Sequence, residues 1–217
     1  MLLAHDLGFL FAHAPKTGGT SMSEALRVVT MSHLPFVHKR HQPAADLKIM
    51  MGDRRWESFY KFGFVRNPWD WTVSLYTFLM NEPWQLWLDK KWRDPKTRNP
   101  RKDLFKKFRE GDLGLFVREF DWTHFTPTPG KTLAQTSTLD WFEIDGKLAF
   151  DQVYMFEYLQ DHAQHISSVI GREITVPHRR KTEHRDYRTY YDDDTAELVA
   201  GLNTKLISEF GYTFDEI

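Results

Sequence analysis

The chain has 217 residues, 41% of them apolar, enough for one hydrophobic core, so a single domain is the expectation. A formal net charge of −1 argues against a partner selected by bulk electrostatics, whether nucleic acid or membrane surface. The absence of cysteine excludes disulfides, thiolate metal ligands and cysteine nucleophiles, and fits a reducing compartment.

Seventeen Phe, eight Trp and eight Tyr suit a packed globule rather than a disordered chain. No run approaches the roughly eighteen apolar residues of a membrane span. The opening Met1-Leu-Leu-Ala-His-Asp6 lacks the basic start of a secretory signal.

Taken in chain order, the apolar run around Leu7 to Ala12 predicts a strand over 7–13, and the pattern from Thr20 predicts a helix over 20–30. Between them lie Pro15, Lys16, Thr17, Gly18 and Gly19. A strand that turns through two glycines into a helix start points several backbone N–H groups at one spot, and the helix dipole adds to them. Such a turn binds a phosphate, with Lys16 beside it as a full positive charge and Thr17, Thr20 and Ser21 as further donors. The usual triphosphate loop, G-x-x-x-x-G-K-[ST], has its lysine after the glycines; here the lysine precedes them. A P-loop kinase or NTPase would also need an aspartate for Mg²⁺, and none is evident.

A short helix is expected from Pro43 to Met51, then a strand over 60–66 ending at Arg66 and a helix over 69–80. Pro68 suits its first turn, and Asn67 and Asp70 shape the turn and cap the helix. Ser74 lies on that helix, eight residues past Arg66. An arginine fork and a serine hydroxyl fit a second phosphate. Strands alternating with helices imply an α/β domain with a largely parallel central sheet. Ligands of such sheets sit beyond the carboxyl ends of the strands, where both motifs fall.

The stretch 81–134 reads as a variable, helical insertion. Residues 90–109 hold ten Lys or Arg against two Asp, with Trp84, Trp87 and Trp92 close by. The composition fits a platform for an anionic or flat acceptor; it fits equally a charged surface helix whose tryptophans face the core. A nucleic-acid patch is a third reading, weakened by the neutral overall charge. A strand over 148–156, a helix reaching about residue 170, a basic loop 178–185 and a last helix from Asp192 or Asp193 to Glu209, ended by Gly211, complete the chain. No metal is expected, since no H-E-x-x-H or comparable ligand spacing occurs.

The pair Pro15-Lys-Thr-Gly-Gly-Thr-Ser21 and Arg66-Asn-Pro-x-Asp-x-x-x-Ser74 resembles the sulfotransferases that use 3'-phosphoadenosine 5'-phosphosulfate (PAPS). The resemblance continues through residues 150–159, 186–192 and 210–214, and so covers most of the chain outside 81–134. Its closest branch is the carbohydrate-type enzymes. It implies a single domain of P-loop-NTPase-like sulfotransferase fold with PAPS as co-substrate and 3'-phosphoadenosine 5'-phosphate (PAP) as product. Lys16, Thr17, Gly18, Gly19, Thr20 and Ser21 would hold the 5'-phosphosulfate, and Arg66 and Ser74 the 3'-phosphate. Lys181 and Thr182 match a loop closing over that phosphate, with Arg180 where asparagine is expected; Met155 stands where relatives often have arginine.

A general base must take the proton of the acceptor hydroxyl. Carbohydrate-type relatives place a histidine ahead of the Arg66 strand, where this chain has His33, His38 and His41. His41, twenty-five residues before Arg66, fits best and His38 is its rival. His13, at the end of the first strand, reads as structural, and Glu157 as non-catalytic. Eukaryotic carbohydrate sulfotransferases carry a membrane anchor ahead of this domain; the short chain leads instead to a cytoplasmic, bacterial enzyme. Its partner would be a small-molecule or glycan acceptor. A nucleotide- or glycan-binding domain of this fold without catalysis is the alternative.

Overall fold

The computed structural model describes residues 1–30, 33–34, 41–80, 107–108, 110–120, 127, 130–177 and 185–215. A five-stranded mixed sheet runs β3-β1-β2-β4-β7. It is built from β1 (Leu2–Ala4), β2 (Phe9–Phe11), β3 (His33–Leu34), β4 (Tyr60–Val65) and β7 (Gln152–Met155). β2, β4 and β7 are parallel neighbours, while β1 is antiparallel to both β2 and β3. A separate antiparallel pair joins β5 (Glu143–Ile144) to β6 (Lys147–Leu148).

Side chains alternate across the strands, as extended backbone requires. Phe9, Phe11, Phe62, Phe64 and Tyr154 face one layer, formed by α1 (Gly19–Val29) and α6 (Leu159–Ile170). Leu10, Ala12, Val65 and Val153 face the other. That second layer holds α2 (Ala44–Met51), α3 (Asp53–Ser58), α4 (Pro68–Leu79), α5 (Leu113–Glu119), α7 (Asp193–Leu202) and α8 (Thr204–Phe210). The result is a single-domain α/β fold with helices on both faces of a mainly parallel sheet, as expected.

Several boundaries differ from the sequence expectation. The strand expected over 7–13 is only Phe9–Phe11, preceded by the unanticipated β1, to which it pairs as a hairpin. The strand expected over 148–156 is split. Asp151 interrupts it: its N–H donates to Lys61 O at 3.0 Å, and its carboxylate accepts the Lys61 N–H at 2.7 Å and pairs with the buried Lys61 ammonium. The last helix breaks at Asn203, whose Nδ2 turns back to donate to Val199 O at 2.9 Å. Asp192 caps α7 through the Thr195 N–H, and Gly211 ends α8 with φ 69°. Most of 81–134, including its tryptophans and most of its basic run, lies outside the described residues. Among the described residues no helix is long and apolar enough to cross a membrane.

Because β2 and β4 are parallel neighbours, the segments leaving their carboxyl ends emerge side by side. These segments are 12–18 and 66–67, which carry the two anion motifs.

Candidate active site

The turn after β2 is held from behind by four side chains. His41 Nδ1 bonds the carbonyl of His13 at 2.9 Å, and Thr17 Oγ1 that of Ala14 at 2.9 Å. Trp71 Nε1 bonds Pro15 O at 2.7 Å, and Arg66 Nη1 bonds Lys16 O at 2.9 Å. Four consecutive carbonyls are thus turned into the protein. In a trans peptide the N–H points opposite to its C=O, so the amides of Ala14, Lys16 and Thr17 are directed the other way. The first-turn amides of α1 join them: Gly18 is its N-cap and no side chain caps that end. These amides and the helix dipole make up a candidate anion cradle.

Both glycines are required by the protein rings packed against them. A Cβ on Gly19 would lie 1.8 Å from His13 Cδ2, and one on Gly18 would lie 2.6 Å from Phe156 Cε2. Gly18 also has φ 72°, and Lys16 adopts φ 60°, a left-handed conformation that non-glycine residues rarely hold. The ammonium of Lys16 sits 4.2 Å above the Phe78 ring.

Arg66 is buried, 8% exposed. Its Nε and Nη2 both reach Asp70 Oδ2 at 2.7 Å, and its guanidinium lies 4.8 Å over the Phe156 ring. Three of its five N–H donors are therefore engaged by Asp70 and Lys16 O. Ser74 is fully buried on α4, and its hydroxyl is not open to solvent. Thr17 and Ser21 are buried and Thr20 is exposed.

The turn after β4 is fixed with equal care. Asn67 caps α4, accepting the N–H groups of Trp69 and Asp70, and its Nδ2 donates to Thr213 O at 3.1 Å. Its own N–H donates to Glu157 Oε1 at 2.7 Å, while Tyr212 donates to Glu157 Oε2 at 2.9 Å. Burial pushes the Glu157 carboxyl above its ordinary range, opposed by these hydrogen bonds and by Arg66. The carboxylate supports a turn.

His41 is half-buried beside the cradle, its ring 4.5 Å from that of His13 in an edge-on arrangement. The structure therefore brings Lys16, Thr17, Gly18, Gly19, Arg66 and His41 around one turn. His38, Lys181 and Thr182 lie outside the described residues. Sequence reasoning missed Trp71 and Phe78; a tryptophan and a phenylalanine in an apolar helix read simply as core.

No curated protein matches the chain. A family model described as the sulfotransferase family matches it over residues 1–210.

Proposed function

Because the chain belongs to the sulfotransferase family, it is a transferase of sulfuryl groups, and we propose that its donor is PAPS and its acceptor a hydroxyl of a carbohydrate or similar polar metabolite. The observation that carries this reading is the hydrogen bond from Arg66 to the Lys16 carbonyl. It joins the two anion motifs into one unit, which suits a ligand bearing two anionic groups on one ribose.

In this reading the cradle amides, with Lys16, Thr17, Thr20 and Ser21, take the 5'-phosphosulfate. The 3'-phosphate falls to the remaining donors of Arg66, to Lys181 and Thr182, and to Ser74 once its buried hydroxyl is uncovered. The acceptor oxygen attacks sulfur in line as the bond from sulfur to the 5'-phosphate oxygen breaks. Charge grows on that oxygen, where Lys16 neutralises it, and the acceptor proton passes to His41. PAP leaves. The protein supplies position and charge, as in phosphoryl transfer. The segment 81–134 is the proposed acceptor side, since the nucleotide groups all lie elsewhere.

Calorimetry with PAP, AMP and ATP tests the donor assignment. PAP should bind at least tenfold more tightly than AMP, because one charge-assisted hydrogen bond contributes about 1.5–3 kcal/mol. Equal affinity for PAP and AMP would overturn it. Sulfate incorporation from labelled PAPS into a panel of glycans, phenols and lipids then identifies the acceptor and separates an enzyme from a binding domain.

A further inference from the structure

We propose that Trp71 is a positioning residue for Lys16, holding the lysine's backbone in its left-handed conformation through the indole N–H. The inference rests on the sulfotransferase reading of the turn for its effect on activity, though not for its effect on structure.

Lys16 has φ 60°, a left-handed conformation that is unfavourable for an L-residue with a Cβ. Something outside the residue must hold it there. Two peptide planes flank Lys16. The plane after it is fixed by Arg66 on Lys16 O, and the plane before it by Trp71 on Pro15 O at 2.7 Å. Rotating the preceding plane would change φ of Lys16, return it towards ordinary negative values and reverse the direction of its N–H. The Trp71 bond opposes this rotation, because it would leave Pro15 O facing away from a donor that is itself 1% exposed and fixed in the core.

The placement on α4 supports the assignment. Trp71, Ser74 and Phe78 are spaced i, i+3 and i+7, which puts them on one helical face. Trp71 grips the carbonyl before Lys16, and Phe78 underlies its ammonium. One face of α4 thus sets both the backbone and the charge of the lysine. Trp141 offers a contrast within the same chain. It is equally buried, yet its Nε1 has no hydrogen-bond partner.

The test replaces the Trp71 side chain by benzothienylalanine, which keeps ring shape and substitutes sulfur for the N–H; Trp71→Phe serves as a second variant. The same replacement at Trp141 is the control. Two readouts apply. The Cα and Cβ shifts of ¹³C-labelled Lys16, assigned with Lys16→Arg, report its backbone without any ligand. Expected are left-handed values in wild type and the Trp141 control, moving to ordinary values in the Trp71 variants. PAP affinity and kcat should both fall about tenfold, the scale of one lost hydrogen bond, with the control unchanged. Unchanged Lys16 shifts, with PAP affinity and kcat unaltered, would overturn the proposal even if Tm dropped, since that result describes packing alone. Wild type that fails to bind PAP while the Lys16 shifts respond as expected would overturn the nucleotide reading and leave this one standing.

Discussion

The Nδ1 of His41 bonds the backbone carbonyl of His13 at 2.9 Å. A carbonyl oxygen only accepts, so this nitrogen carries the ring proton, and the neutral imidazole keeps its lone pair on Nε2. That is the tautomer a general base needs, fixed in the way a carboxylate or carbonyl fixes a catalytic histidine elsewhere.

His41→Ala should therefore lower kcat by roughly 10²–10⁴-fold while PAP affinity stays as in wild type. Lys16→Ala should lower turnover too, but with weakened PAP binding, since the proposed function sets its ammonium against the phosphosulfate. Steady-state kinetics beside calorimetry separates the two. Near-wild-type kcat in His41→Ala, with loss in His38→Ala, would pass the role to His38.

Gly19→Ala should destabilise the protein although alanine is the better helix former by about 1 kcal/mol. The new methyl would fall 1.8 Å from the His13 ring, which must leave and would disturb His41 beside it. His13→Ala makes the room. The double variant Gly19→Ala/His13→Ala should then show a Tm well above the sum of the single losses, a coupling of about 1 kcal/mol or more. Strictly additive losses would mean the clash lies elsewhere.

The strand–turn–helix units, the cap at Asn67 and the stop at Gly211 are legible from sequence because each depends on residues within a few positions. What holds the turn is not legible for the opposite reason. The bonds 13–41, 15–71 and 16–66 span 28, 56 and 50 residues, and no periodicity records them. The glycine pair illustrates the difference. Sequence marks Gly18 and Gly19 as part of a phosphate-binding turn, but nothing in it records that the rings of Phe156 and His13 pack against them. Hairpin β1 and the break at Asn203 were hidden because one is three residues long and the other lies inside an otherwise continuous helical pattern.

Asn67→Ala should cost more than an ordinary cap. The side chain is fully buried, caps α4 with its oxygen and serves Thr213 O with its nitrogen. Losing the cap costs about 1–2 kcal/mol, and stranding the carbonyl adds about 1–3 kcal/mol. At this chain length 1 kcal/mol moves Tm by roughly 2–4 °C, so calorimetry should show a fall of about 5–15 °C. Asn67→Asp keeps the cap but loses the donor, and should fall between; an Asp variant as damaged as Ala would deny the cap its share.

His162 gives the protein an acid-sensitive side. Its ring lies 4.8 Å from that of Tyr154, whose hydroxyl bonds His165 Nδ1 at 2.7 Å and Tyr60 at 2.9 Å. The His162 Nε2 is buried with no hydrogen-bond partner. Burial, with His165 nearby, holds its pKa below the ordinary 6.5, and Asp161 opposes this only in part. A histidine with a depressed folded pKa binds its proton first in the unfolded chain. Above about pH 7 both states are neutral and nothing differs. As pH falls through 6.5 the unfolded state gains protons and stability declines, levelling off once the folded pKa is passed. Glu157, with a raised pKa, acts with the opposite sign, and it is common to any pair of His162 variants. The Tm of wild type should thus fall between pH 7.5 and 5.5 more steeply than that of His162→Phe. Parallel curves across that window would show that the buried ring titrates as it does in the unfolded chain.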